Sequence, residues 1–250
     1  MCRFVAYLGP PLSLQALLYD PPHSLVRQSW APRHQRRGAV NADGFGVGWY
    51  DHHVRAEPAR WRTPRPAWAE RSFASVAGLV RSTAVLAALR DATPPSPVEE
   101  SGTPPFTAGP WLFAHNGRVD GFAGGGPTNA VLRRLVSDPR TAGIEGASDS
   151  EVLFALALDR LDAGADPGRA LADVVATVSG IVPARLNLVL TDGHRLAATA
   201  WGESLFVKEG DDAVLVASEP HDDDGRWTPV PDGSLVVVDR SGAVVAPLTP

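Results

Sequence analysis

The chain has 250 residues, 44% of them hydrophobic, with a formal net charge of −5 and a pI near 5.8. That length and composition suffice for one large buried core, and the acidic balance argues against nucleic acid or an anionic membrane as partner, since RHQRR (Arg33 to Arg37) is the one local basic cluster. No apolar stretch approaches the ~18 residues of a membrane-spanning helix, and FVAYLG, cut short by Gly9-Pro10-Pro11, has the wrong layout for a secretory signal, so a cytoplasmic location is expected.

The sole cysteine is the second residue, Cys2. A small residue behind Met1 normally lets an aminopeptidase remove the methionine, so the mature chain is expected to begin with a cysteine bearing both a thiol and a free α-amine. With reference pKa values of about 8.5 for the thiol and about 7.7–8.0 for the amine, the amine can take the thiol proton at neutral pH. A free cysteine is more commonly a small buried hydrophobe, but the processing position favours a nucleophile. One cysteine cannot form an internal disulfide.

In chain order, FVAYLG (4–9) reads as a strand that would anchor the new N-terminus. LSLQALLYD reads as a helix, followed by a Pro- and Arg-rich loop. In NADGFGVGWYD, Asn41 to Gly44 supply a turn and the rest a strand. AVLAALR (84–90) and WLFAHNG (111–117) also read as strands, and the five prolines of TPPSPVEESGTPPF make the segment between them a loop. Helices are expected at TNAVLRRLV, SDSEVLFALALDRLDAG and DPGRALADVVATVSG, the last with Pro167 in its first turn. From Asn187 onward short β-rich runs alternate with turns at Thr191-Asp192-Gly193, Glu209-Gly210-Asp211 and Arg240-Ser241-Gly242, a spacing that suits antiparallel hairpins. Strands at both ends with helices between them imply an α+β layered domain over residues 1–250, without repeat or linker.

Several segments carry chemistry as well as structure. His115-Asn116-Gly117 offers an Asn amide and an approachable Gly backbone N–H, two donors suited to a tetrahedral oxyanion, although Asn-Gly is also the strongest short turn signal. Arg90 ends an apolar strand, where its planar fork suits a carboxylate; a surface arginine with nothing to hold is the ordinary alternative, and the adjacent Asp91 could compete for it. Ser148-Asp149-Ser150-Glu151 ahead of VLFALAL reads as a capping box, which leaves Asp149 in the first helical turn. The glycines of 41–49 lack dinucleotide spacing and Gly124 to Gly126 lack a following Lys-Ser/Thr. The seven histidines show no metal-ligand spacing and no G-x-S-x-G is present. Neither a metal nor a cofactor is expected.

Taken together, the N-terminal cysteine, NADGFGVGW (41–49), LRDATP (89–94), AHNG (114–117) and SDSE (148–151) resemble, in order and over roughly residues 1–220, the class II glutamine amidotransferases, a family of N-terminal nucleophile hydrolases. The resemblance implies a four-layer αββα sandwich with two mainly antiparallel sheets. It implies Cys2 as nucleophile, Asn116 and Gly117 as oxyanion hole, Arg90 assisted by Thr93 on a substrate carboxylate, and Asp149 on the substrate α-ammonium. Leu89 and Asp91 depart from the family pattern around the arginine. The motifs consume the chain and leave no room for an acceptor domain, so two enzymatic options follow: hydrolysis of a small γ-glutamyl amide, or delivery of ammonia to a separate subunit. Residues 1–51 resemble the stand-alone hydrolase branch that serves actinobacterial ergothioneine synthesis. A general glutaminase, a glutathione-degrading relative and a non-catalytic γ-glutamyl-binding scaffold are the alternatives, and a homo-oligomer is left open. The non-glutamyl half of the substrate would meet the loops at 23–40 and 94–110. Trp30, Trp49, Trp111 or Trp201 could face a quaternary ammonium, with core packing the ordinary role of each.

Overall fold

The computed structural model describes residues 2–239 and 241–248; Met1 and Arg240, the latter part of one expected turn, lie outside the described residues. The first strand, β1 (Arg3–Ser13), begins one residue after Cys2 and runs beyond the expected 4–9. Its last residues still pair with a neighbouring strand, Leu12 opposite Ser82 and Ser13 opposite Arg81. The helix expected from Leu12 therefore starts only at α1 (Leu14–Leu18), where the Ser13 hydroxyl accepts from the Ala16 N–H.

A seven-stranded sheet is built around β1. In the order β11 (Trp227–Pro229), β9 (Phe206–Glu209), β10 (Val214–Ala217), β1, β4 (Arg81–Leu89), β2 (Phe45–Trp49), β3 (Ala59–Thr63), every pairing is antiparallel. A six-stranded sheet follows the order β13 (Gly242–Pro247), β12 (Ser234–Asp239), β8 (Leu196–Ala200), β7 (Ala184–Thr191), β6 (Trp111–Val119), β5 (Phe106–Ala108), again antiparallel throughout.

Three apolar cores show how these parts stack. Phe4 and Ala6 of β1 meet Leu112 and Ala114 of β6 and Val189 of β7 between the two sheets. Val5 and Tyr7, on the other face of β1, pack with α1, α2 (Leu25–Gln28) and α3 (Arg71–Ala77). Phe113 of β6 and Leu188 of β7 pack under α4 (Pro127–Arg133), α6 (Asp149–Asp162) and α7 (Pro167–Ser179). The result is the expected αββα sandwich, because period-2 alternation gives each sheet two apolar faces and each face needs a cover. A short α5 (Asp138–Thr141) precedes α6. The sequence pattern does not announce α2, α3, α5, β3, β5 and β11; each has between three and seven residues.

Candidate active site

Cys2 sits at the head of a central strand, flanked by β4 and β10, since Arg3 is opposite Leu89 and Val5 opposite Ala217. The chain that leaves β4 is pinned beside it. Arg90 N–H donates to the Gly44 carbonyl at 2.8 Å, Asp43 N–H donates to the Arg90 carbonyl at 3.0 Å, and Ala92 N–H donates to Asp43 Oδ2 at 2.8 Å. Where a turn is expected at Asn41 to Gly44, the chain only bends at Asp43 and then runs alongside Arg90 into β2, clamping residues 90–92. In that clamp the Asp91 backbone N–H hydrogen-bonds the Cys2 sulfur. Burial pushes the half-buried thiol's pKa up, while the Asp91 amide and the Arg90 charge pull it back down.

The Arg90 side chain is 5% exposed, and its Nη1 has no hydrogen-bond partner among the described residues. Its guanidinium lies against Gly102 of the Pro-rich loop, where a Cβ would come 2.9 Å from Nη2 and 3.0 Å from Cζ. The glycine leaves room for the guanidinium in its present position. A buried, under-used fork aimed into a cleft is poised for a carboxylate.

On the opposite wall, His115, Asn116 and Gly117 lie inside β6, in register with Leu188, Asn187 and Leu186 of β7. Asn-Gly is therefore not a turn here. Gly117 is required by packing, since a Cβ would fall 1.9 Å from the Arg185 carbonyl oxygen. The pairing of β5 stops at Phe106 opposite Phe113, so the following residues of β6 have an edge without a strand partner. Val119 N–H on that edge donates to Asp149 Oδ2 at 2.9 Å. Gly117 N–H, two residues back, points the same way because strand N–H directions alternate with period 2.

Asn116 alternates with His115 and faces the inter-sheet space, as Ala114 does and as Cys2 does by the alternation of β1. Its Nδ2 donates to Ser218 Oγ at 3.4 Å, and its Oδ1 has no partner among the described residues. The same hydroxyl accepts from Phe4 N–H at 3.1 Å, so Ser218 joins the Asn116 amide to the strand that carries Cys2.

The capping box at the start of α6 is present as the spacing predicts, with the Ser148 hydroxyl and the Glu151 carboxylate satisfying each other's backbone N–H groups. It holds Asp149, whose carboxylate also accepts from Ser150 N–H at 2.9 Å. His115 braces this corner: Nε2 donates to the Arg185 carbonyl at 2.9 Å, which leaves Nδ1 to accept from Ser150 Oγ at 3.1 Å.

Cys2, Arg90, Thr93, Gly117 and Asp149 line one cleft, so the fold brings together residues up to 147 positions apart. Asn116 is the one expected site residue outside that lining. His115 and Ser150 line it too, and sequence reasoning gave neither a role; His115 was visible only as the neighbour of Asn116. Ser218 had no local signal, because its partners are 214 and 102 residues away. Asp91 does not take Arg90 from the cleft in the way its adjacency threatened, since the Arg90 Nη1 remains without a hydrogen-bond partner among the described residues. No group of His, Cys, Asp and Glu able to hold a metal ion is found among the described residues.

A sandwich of two antiparallel sheets between helices, with a cysteine heading a central strand and a buried Arg and a capped Asp facing each other across its cleft, defines an amidotransferase-type fold. The sequence pattern of the class-II glutamine amidotransferases matches residues 14–208, and the chain belongs to that family. It is 45% identical to a γ-glutamyl-hercynylcysteine sulfoxide hydrolase from Mycolicibacterium smegmatis over 99% of this chain and 100% of the relative. It is 43% identical to a protein of the same name from Mycobacterium tuberculosis over 99% of this chain and 97% of the relative. Among solved structures, a glutamine aminotransferase class-II domain protein from Silicibacter pomeroyi superposes with a TM-score of 0.74 at 29% identity, covering all of both chains.

Proposed function

We propose that the chain is a cytoplasmic γ-glutamyl amidohydrolase, acting as one domain over residues 1–250, which cleaves γ-glutamyl-hercynylcysteine sulfoxide to glutamate and hercynylcysteine sulfoxide in ergothioneine synthesis. The observation that carries this reading is the 45% identity, over essentially the whole of both chains, to a hydrolase of that substrate.

In this reading, removal of Met1 frees the α-amine of Cys2. Arg90, assisted by Thr93, takes the α-carboxylate of the glutamyl group and Asp149 its α-ammonium; the buried Arg90 Nη1 and the fixed Asp149 carboxylate support that pairing. The amine takes the thiol proton and the thiolate attacks the γ-carbonyl carbon. The oxyanion that forms is met by the Gly117 N–H on the open edge of β6 and by the Asn116 amide. The C–N bond then breaks, the proton passes from the ammonium to the departing amine, and a γ-glutamyl thioester remains. Water, deprotonated by the same α-amine, cleaves the thioester to glutamate and restores the thiol.

The test is competition between substrates. The processed enzyme is expected to prefer γ-glutamyl-hercynylcysteine sulfoxide to glutamine and glutathione by at least about tenfold in kcat/KM, roughly 1.4 kcal/mol of transition-state discrimination. Equal or faster turnover of glutamine, with ammonia released, would replace this reading with that of a glutaminase subunit.

A further inference from the structure

The basic cluster RHQRR has no part in the chemistry above, yet it is built onto the nucleophile's own strand. Arg3, the residue after Cys2, is 1% exposed; its Nε donates to Gln35 Oε1 at 3.1 Å. The same Gln35 oxygen accepts from Asn41 Nδ2 at 3.0 Å, and Gln35 Nε2 donates to the Arg37 carbonyl at 2.9 Å. Glu219, whose carboxylate is fully buried, accepts the backbone N–H of Arg33 at 3.0 Å and of His34 at 2.8 Å. At the far end of the loop, a Cβ on Gly38 would stand 3.3 Å from Asp91 Oδ2. The loop is therefore fastened by buried polar groups at its start and middle, and it abuts the residue whose N–H bonds the Cys2 sulfur. Burying Arg3 and Glu219 away from water carries a desolvation cost that a purely ornamental surface loop would not need.

The tether fixes the loop backbone that carries these charges. Arg33 is paired with Asp223 at 2.9 Å, and Arg118, an exposed cation of the cleft lining, is paired with Asp120 at 3.4 Å. Arg36 and Arg37 are exposed and have no ion pair among the described residues. They precede Gly38, which abuts Asp91 of the cleft lining, and neither belongs to the part of the cleft that Arg90 and Asp149 line.

We infer that the loop 33–38 is a specificity element, and that Arg36 and Arg37 recognise a carboxylate on the leaving-group half of the substrate. This rests on the γ-glutamyl hydrolase reading. The glutamyl carboxylate is already matched by Arg90, whereas the cysteinyl half carries its own carboxylate on the carbon bonded to the scissile nitrogen. That group must project from the cleft beside Cys2. In a protein of net charge −5, two exposed guanidiniums on a loop tethered next to the cleft attract an anionic leaving group and leave a neutral one indifferent.

The test uses two probes that differ in that carboxylate alone, γ-glutamylcysteine and γ-glutamylcysteamine. The processed enzyme is expected to favour γ-glutamylcysteine by about tenfold in kcat/KM, mainly through KM, with the preference shrinking as salt is raised. The R36A/R37A variant, altered at two exposed side chains, should lose most of the preference while its kcat/KM for γ-glutamylcysteamine stays within about twofold. Equal falls for both probes, or an unchanged preference, would overturn the inference. Dissociation constants of the same probes on Cys2→Ala, with and without the two loop changes, separate this from failure of the reaction itself. Tighter, loop-dependent binding of γ-glutamylcysteine without hydrolysis by the wild type would refute the proposed function and uphold the loop; binding indifferent to the loop would refute the loop.

Discussion

Replacing Arg90 by Met should raise stability and destroy substrate capture in one step, and the two signs come from the same geometry. In the free protein Arg90 is 5% exposed, and its Nη1 is buried and unpartnered among the described residues. A buried donor without an acceptor costs about 1–3 kcal/mol, and an apolar side chain of similar length relieves that cost while filling the space beside Gly102. Allowing for imperfect packing, a net gain of about 1 kcal/mol corresponds to a Tm rise of roughly 2–4 °C in a chain of this size. Substrate binding moves the other way. Removing a bidentate partner from a buried carboxylate typically costs about 2–4 kcal/mol, roughly a 30- to 1,000-fold loss of kcat/KM carried chiefly by KM. Because the Arg90 charge also lowers the Cys2 pKa, the rising limb of the pH–rate profile should move to higher pH. Thermal denaturation of the free enzyme, together with initial rates across a range of substrate and pH, measures all three quantities. A lower Tm combined with an unchanged KM would refute the reasoning, since it would mean that Arg90 has a structural partner and no ligand.

Asn116→Ala should lower kcat by about 10²–10³-fold with little change in KM, because an oxyanion donor acts on the transition state; a rise in KM alone would reassign the amide to substrate binding. For Cys2, burial outweighs the Asp91 amide and the Arg90 charge, so the neutral thiol is favoured. In chain that retains Met1, the rate of iodoacetamide alkylation should rise through a midpoint above the free thiol's value of about 8.5, and a midpoint at or below neutrality would show that the charges dominate.

What the sequence made legible was local. The capping box of α6 is written within four consecutive residues, and the start of α7 is marked by Asp166, whose side chain accepts from Arg169 N–H, followed by Pro167. The long strands β1, β4, β6 and β7 show themselves because apolar β-formers fill both faces of sheets buried on each side. By contrast β3 reads ARWRT, an edge strand with arginines at alternate positions, and its pattern resembles a loop until its partner β2 is known. Asn116-Gly117 shows most plainly where local reading ends. The dipeptide favours a turn, as does Asp43-Gly44, and neither becomes one, for reasons held elsewhere in the chain. Asp43-Gly44 bends but runs on into β2, because its carboxylate and backbone are taken up by residues 90–92. Gly117 stays extended because β7 comes so close that no side chain would fit. Tertiary packing thus overrides a turn propensity worth little by comparison with an eight-residue strand register. The residue types at a nucleophilic site can be named from their order along the chain, while the groups that aim them, Ser218 on Asn116 and Gln35 on Arg3, are joined across 102 and 32 residues. Contacts of that span leave no spacing to read, and they are the contacts that decide whether an Asn amide is an oxyanion donor or merely part of a strand.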